Sequence, residues 1–137
     1  MIEDINELES KRNALHEQLI NMGDFRRGII SVNYRKCGKK NCACARAGHP
    51  GHGPQYLWNT TIKGKSYAKN LKMGVELQKF ITETENYRKF NQICEELVLV
   101  NEKICDLREA PEIEDKDESE ALKKKLLRRL AKKCKKR

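Results

Sequence analysis

The stretch CGKKNCACARAGHPGHGP, residues 37–54, concentrates cysteines and histidines in a glycine-rich loop. Thiolates and imidazoles are the ligands that zinc takes in tetrahedral structural sites. The glycines let the backbone wrap closely around an ion, since glycine adopts conformations that other residues avoid. The candidate ligands are Cys37, Cys42, Cys44, His49 and His52.

Three thiolates and one imidazole make the simplest ligand set, with His52 as the fourth ligand and His49 as the runner-up. His52 precedes a Gly-Pro pair at the start of a hairpin, so its ligation would tie the loop to the sheet. Four protein ligands leave no open position, which predicts a structural Zn²⁺. An iron–sulfur cluster that recruits Cys94 is the alternative.

The segments around the loop alternate between helical and strand patterns. Residues 2–22 carry apolar side chains at heptad spacing, and residues 28–35 alternate as a strand does. Residues 55–71 predict a β-hairpin that turns at Lys63-Gly64. A long helix is predicted at 75–108. The pattern predicts an α+β fold in which a zinc loop and a small antiparallel sheet of two or three strands pack with a long antiparallel two-helix hairpin.

The chain is expected to divide by charge and composition. The predicted parts are an N-terminal helix at 1–23, a zinc loop and β-hairpin module at 24–73, a long helix at 74–110, and an acidic linker with a disordered or helical basic tail at 111–137. The two helices either pair with each other or form a homodimeric coiled coil, and the sequence does not decide between these arrangements.

Two basic blocks stand out within a formal net charge of +9. Residues 24–73 hold eleven basic side chains and one acid, and residues 121–137 hold ten basic side chains and no acid. Such charge attracts polyanions. The sequence shows no signal peptide and no apolar run of membrane-spanning length, which predicts a cytoplasmic, nucleoid-associated protein with reduced cysteines.

The module at 24–73 supplies the candidate contacts. Basic side chains bind phosphates, and exposed aromatic rings stack on unpaired bases. The basic candidates are Arg26, Arg27, Arg35, Lys36, Lys39, Lys40, Arg46, Lys63, Lys65 and Lys69. The aromatic candidates, which serve either the core or stacking, are Tyr34, Tyr56, Trp58 and Tyr67.

The motifs YRKCGKKNCAC at 34–44 and HGPQY at 52–56, with Gly64-Lys65 in the turn, resemble a family of small, uncharacterised prokaryotic proteins. The resemblance covers about residues 25–95 and supports His52 as the ligand. Members of that family often accompany mobile elements, which implies a nucleic-acid partner. At the level of fold alone, the aromatic strand, Gly-Lys turn, basic strand and helix are similar to the arm-binding domains of tyrosine recombinases, which insert a sheet into a DNA groove.

These observations predict a small, non-enzymatic zinc protein that binds nucleic acid, DNA rather than RNA, as an accessory to a mobile-element or nucleoprotein machine. The sequence contains no Walker-type phosphate loop and no paired carboxylates. No membrane and no small-molecule substrate is expected. The alternatives are a protein–protein adaptor or dimerising coiled-coil subunit of a larger complex, and a redox sensor that uses Cys42-Ala43-Cys44.

Overall fold

The computed structural model describes residues 3–135, with side chains through Lys133. The chain forms two compact units, Met1–Ile104 and Cys105–Arg137. Helices and an antiparallel sheet share the first unit, so the predicted α+β class is confirmed. The elements are α1 at Ile5–Ile20, β1 at Ile29–Arg35, a 3-10 turn at Ala43–Ala45, β2 at His52–Ile62, β3 at Lys65–Leu71, α2 at Val75–Leu107 and α3 at Lys116–Lys135.

The sheet is a three-stranded antiparallel meander in the order β1-β2-β3. Lys63 and Gly64 join β2 to β3 with φ angles of 51° and 78°. Positive φ at both central residues is the backbone that matches the twist of paired strands, and glycine adopts it without steric cost. The hairpin and its turn are therefore as predicted. Strand β2 begins at His52, three residues before the predicted strand, so the last part of the loop motif belongs to the sheet.

Strand pairing sorts the side chains onto two faces. Trp58 pairs with Ile30 on one side and Lys69 on the other, and these three residues lie on what we call the helix face. The opposite side, the open face, carries mostly small or polar residues, together with Ile29 and Leu57. Its members are Ile29, Ser31, Asn33, Gln55, Leu57, Asn59, Thr61, Ser66, Ala68 and Asn70.

The helix face forms one apolar core with the start of α2. Leu71 of β3 clusters with Leu77 and Phe80, and Tyr56 and Trp58 pack against this cluster. The rings of Trp58 and Phe80 meet edge to face with centroids 5.8 Å apart. Of the two roles predicted for Tyr56 and Trp58, the structure supports the core.

Helices α1 and α2 run antiparallel within the first unit. Lys103 Nζ donates to Glu3 Oε1 (3.5 Å) at one end, and Asn86 Nδ2 donates to the Asp24 carbonyl (2.9 Å) at the other. Apolar side chains fill the space between these ends, and the buried ones are Leu8, Leu15, Ile93 and Ile104. The heptad-spaced residues of α1 are thus used inside one chain.

Helix α3 begins at Lys116, inside the segment predicted as an acidic linker. Asp115 Oδ1 accepts a hydrogen bond from the Asp117 amide (2.9 Å), and Asp117 and Glu118 lie in the first turn. Acidic side chains stabilise a helix start because they face the positive end of the helix dipole. Composition alone indicated a linker because it counts charges without regard to their position. None of the helices within residues 3–135 is long and apolar enough to cross a membrane.

Candidate metal centre and basic surface

Four of the predicted ligands converge at one point. The ligand atoms of Cys37, Cys42, Cys44 and His52 all lie within 4.8 Å of one another. Cys37 Sγ is 3.5 Å from Cys44 Sγ, and Cys42 Sγ is 3.1 Å from His52 Nε2. Tetrahedral zinc with bonds near 2.3 Å places its ligand atoms about 3.7 Å apart. The group can therefore hold a metal ion, and its sulfur and nitrogen donors are those that zinc takes.

Backbone turns position the thiols. The Cys42 amide donates to the Lys39 carbonyl (3.3 Å), and the Ala45 amide donates to the Cys42 carbonyl (3.0 Å). The Cys37 amide points at Cys44 Sγ from 3.5 Å. An amide directed at sulfur stabilises a thiolate ligand, as groups beyond the direct ligands commonly do. Of the four ligand residues, Cys44 is the one that is buried, with 1% of its surface exposed.

Gly51 brings the loop back against the sheet. It is buried at φ 106°, and a Cβ at this position would lie 2.6 Å from the backbone carbon of Arg35. No larger residue fits so close to a neighbouring strand. The close approach sets His52 opposite Arg35, where the pairing of β1 and β2 resumes after an irregularity.

Cys37 and Cys44 have pKa values that are shifted in opposite directions. A hydrogen bond from the Lys39 backbone, together with His52 and Cys44, lowers the pKa of Cys37 to about 6. The pKa of Cys44 is raised: the Cys37 amide lowers it, but burial and the adjacent thiols Cys42 and Cys37 together have the larger effect. Sulfurs this close cannot all ionise unless a cation offsets their charge. This electrostatic conflict is what a bound metal ion would remove.

The structure also separates the two candidate histidines. His52 is in the group, whereas His49 lies outside it and its Nδ1 accepts a hydrogen bond from the Gly51 amide (3.0 Å). His49 therefore shapes the turn before Gly51. Cys94 lies on α2 and is not a member of the group, so the structure does not bring together the fourth thiol of the alternative cluster.

The loop that carries the metal group also carries several basic side chains. Lys36 Nζ donates to the Arg46 carbonyl at 3.5 Å, which holds the two ends of the loop together. The loop cations are exposed, and they are Arg35, Lys36, Lys39, Lys40 and Arg46. Between Asp24 and Glu76 the sequence has no acidic residue. The loop therefore presents positive charge that no local carboxylate neutralises.

Arg26, by contrast, is engaged inside the fold. Its Nε donates to Glu83 Oε1 (3.0 Å), and its guanidinium carbon lies 3.9 Å from the centroid of the Phe80 ring. Lys79 Nζ donates to the other carboxylate oxygen at 2.8 Å. The hydrogen bond from Lys79 and then that from Arg26 lower the pKa of Glu83. Arg26 thus connects the segment before β1 to α2.

Lys69 is also occupied, because it lies on the helix face. Its Nζ forms an ion pair with Glu76 (3.2 Å) and lies 5.3 Å from the centroid of the Phe80 ring. Lys65 lies on the same face nearer the hairpin turn, where its Nζ is 5.4 Å from the Tyr67 ring. These two lysines share a face as predicted, but Lys69 is directed at the protein. Arg27, Lys63 and Lys65 are exposed.

Two aromatic candidates remain at the surface. Tyr34 is 50% exposed and lies where the register of β1 shifts, and Tyr67 is 42% exposed on the helix face.

Two important residues were not among the predicted site residues. The sequence signal for Gly51 is its place between two histidines, and the signal for Glu83 is a carboxylate four residues after Lys79 on the buried side of α2.

Residues 5–72 match a family model described as "Domain of unknown function (DUF6788)". The match runs from the start of α1 to just past β3, so it includes all four ligands. No curated protein and no solved structure matches the chain. The family match agrees with a resemblance to an uncharacterised family, and the motif pattern and the association with mobile elements stay predictions.

Proposed function

We propose that this protein is a small, non-enzymatic, zinc-stabilised module that binds nucleic acid, with DNA preferred over RNA. One observation carries the proposal: the segment between Asp24 and Glu76, which has no acid, folds into a sheet and a loop that carries both exposed cations and a Cys3His group. Phosphate contacts supply most of the affinity of such proteins for nucleic acid. Arg26 and Lys69 pair with acids of α2, and the other cations of this segment are exposed to solvent.

Zinc is the metal in this proposal. Three thiolates and one imidazole suit zinc, and a closed set of four ligands gives a structural ion. The ion would hold the loop cations in fixed positions, because of the loop residues only Cys44 and Gly51 are buried. The preference for DNA and the accessory role at a mobile element rest on the resemblances described above.

A salt titration of binding tests the proposal. The full chain would carry glutamine at all ten tail cations, so that binding by the tail does not mask the module. These are Lys123, Lys124, Lys125, Arg128, Arg129, Lys132, Lys133, Lys135, Lys136 and Arg137. Glutamine keeps the helix propensity of α3. Binding to duplex DNA, single-stranded DNA and structured RNA would be followed by fluorescence anisotropy, after the zinc content is measured by mass spectrometry.

We expect micromolar or tighter binding to duplex DNA that weakens steeply with salt, with log Kobs falling by about 0.9 per phosphate contact for each unit of log salt. Lys39→Gln with Lys40→Gln should weaken binding and reduce that slope. Arg88→Gln with Lys89→Gln, at exposed positions of α2, is the charge-matched control and should change neither. No binding to any of the three nucleic acids would contradict the proposal, and a stronger preference for RNA would contradict its DNA part.

The histidines provide a matched test of the metal site. His52→Ala should lower zinc affinity by a large factor and reduce DNA binding with it, because the loop loses its fixed shape. His49→Ala removes the same side chain three residues away and should keep the zinc. Equal zinc loss in both variants would contradict the ligand set.

The adaptor alternative is supported by exposed apolar residues on α2 and on α3, where Leu122, Leu126, Leu127 and Leu130 are exposed. Val98 and Leu99 are 54% and 61% exposed. Against it, Leu8 and Leu15 are buried within one chain, as are Leu77 and Phe80. Sedimentation equilibrium tests this alternative, since a dimeric adaptor requires self-association at micromolar concentration, and we expect a monomer.

A further inference from the structure

We propose that the open face of the sheet reads base edges in the major groove of duplex DNA, with the side chains of Asn33, Gln55 and Asn70 as the reading groups. This inference rests on the proposed function and deepens it. It identifies the surface that contacts the bases, whereas the basic residues account only for contacts with phosphates.

Helix α2 covers the middle of the helix face and leaves Val32 and Tyr67 about half exposed on the outer strands. Leu71 is buried at 7% exposure, Trp58 packs against the α2 cluster, and Lys69 is paired with Glu76. The broader uncovered surface of the sheet is therefore its other side, where seven residues are exposed. These are Ile29, Asn33, Gln55, Thr61, Ser66, Ala68 and Asn70.

The chemistry of the open face suits base edges. Its exposed polar groups are amides and hydroxyls without charge, and Ser31 Oγ accepts hydrogen bonds from Asn59 Nδ2 (3.3 Å) and Asn33 Nδ2 (3.5 Å). These contacts order the centre of the face. Asparagine and glutamine amides both donate and accept, so they can pair with the N7 and N6 groups of adenine in the major groove.

Charge is arranged around this uncharged centre. Lys63 lies in the turn at one end of the strands, and Arg35 and Lys36 lie at the other end beside the metal loop. Phosphate contacts position a protein on the duplex without reading its sequence, so cations next to a neutral face can hold that face against the groove. Three strands at the usual spacing of about 4.8 Å put the outer strands about 10 Å apart, which fits a groove about 12 Å wide.

The absence of aromatic residues from the open face distinguishes the possible nucleic acids. Tyr56, Trp58 and Tyr67 all lie on the helix face. Binding of unpaired bases relies on aromatic stacking, which the open face does not offer. The major groove of an RNA duplex is too deep and narrow for side chains to read. Duplex DNA is the partner that remains.

Selection from a random duplex library with the tail-neutralised full chain is the first step of the test. We expect enrichment of a short site, and its discrimination over random duplex is then measured by anisotropy. Gln55→Ala and Asn70→Ala should each reduce that discrimination by about tenfold and leave the salt slope unchanged. Thr60→Ala, on the helix face of the same strand as Gln55, is the control and should keep the discrimination.

The cations should behave differently from the amides. Lys63→Asn removes one charge from the turn, where asparagine tolerates the positive φ of this position. It should weaken binding to all sequences equally and reduce the salt slope by about 0.9. Ala68→Glu places a carboxylate on the open face and should weaken duplex binding at least tenfold, whereas Gln78→Glu on α2 should have little effect.

The outcomes separate this inference from the proposed function. Duplex binding without any enriched site, or full discrimination in Gln55→Ala and Asn70→Ala, would overturn the open face as a reader and leave nucleic-acid binding intact. Tight binding of Ala68→Glu would overturn it as well. No binding to any nucleic acid would overturn the proposed function, and the inference with it.

Discussion

The metal loop and the α1–α2 helix pair belong to one unit but depend on different interactions. The helix pair buries leucine and isoleucine side chains along its length, so the hydrophobic effect stabilises it. Between Lys36 and Gly51 only Cys44 and Gly51 are buried, and neither supplies much apolar area. A segment that buries so little needs cross-links to stay ordered.

This difference shows how a chain with 36% charged and 6% aromatic residues can still form a defined surface. The apolar residues are used where helices can share them, and the cations lie where almost no core exists. A metal ion gives the loop a shape without apolar cover, which leaves its lysines and arginines free to face solvent. Each prediction below tests whether the two regions respond independently.

Loss of the metal should have the largest effect, and the effect should be confined to the loop. Structural zinc contributes on the order of 10 kcal/mol to small metal-dependent folds. Chelation or Cys44→Ala should raise hydrogen exchange across residues 36–51 while far-ultraviolet circular dichroism of the helices changes little. Cys105→Ala, at an exposed position of α2, should alter neither signal. Loss of helix together with the loop would show that the two regions are one cooperative unit.

A cavity in the helix pair should produce the reverse response. Leu8 is 1% exposed, so Leu8→Ala should lower the free energy of unfolding by about 3 kcal/mol in urea titrations. The Co²⁺-substituted metal site should keep its absorption spectrum, because the loop does not depend on this core. Leu99→Ala at an exposed position should cost less than about 0.5 kcal/mol. A changed metal spectrum in Leu8→Ala would show that the core and the loop are coupled.

The contact between Arg26 and Glu83 should give a smaller, pH-dependent effect. Glu83→Gln should destabilise the protein by about 2 kcal/mol at pH 7, because Arg26 and Lys79 lose a charged acceptor. The pKa of Glu83 is lowered in the fold, so its stabilisation is present above the ordinary value near 4.3 and is lost as the pH falls through the lowered value.

The difference in unfolding free energy between wild type and Glu83→Gln should therefore be constant from pH 7 to about pH 5 and should narrow progressively below about pH 4. Glu85→Gln, at an exposed position of the same helix, is the control and should not show this difference. A gap that does not narrow in acid would mean that the carboxylate charge is not the source of the stability.

The ion pair between Lys69 and Glu76 should have the smallest effect. The two side chains are 55% and 28% exposed, and ion pairs of this exposure contribute little because water and salt screen them. A double-mutant cycle with Lys69→Gln and Glu76→Gln should give a smaller coupling than the Glu83 contact, and 1 M NaCl should remove it. Coupling that survives high salt would show that the pair is shielded from solvent.

Much of this fold could be predicted from local patterns. Apolar spacing and Gly74 indicated a helix at 75–108, which the structure has at Val75–Leu107, and Lys63-Gly64 indicated the turn. Clustered thiols with a histidine before Gly-Pro indicated the metal group. These features depend on residues that are close in the chain, so they can be predicted without knowledge of the tertiary contacts.

Other features needed the folded chain because their partners are distant in sequence. Arg26 looked like a phosphate contact until its partner Glu83, 57 residues away, was placed against it. Charge patterns in a sequence do not show which cations are already paired. The same holds for Asp117 and Glu118, which composition assigned to a linker although they begin α3.

The sequence by itself determined the class of fold, the ligand types and the acid-free basic block, because each follows from residue chemistry at short spacing. Only the tertiary structure decided that α1 packs on α2 within one chain, that His52 rather than His49 joins the thiols, and which face of the sheet is covered. The physical reason is packing: α2 can cover one side of a three-stranded sheet, and the apolar cluster at Leu71, Leu77 and Phe80 determines which side that is.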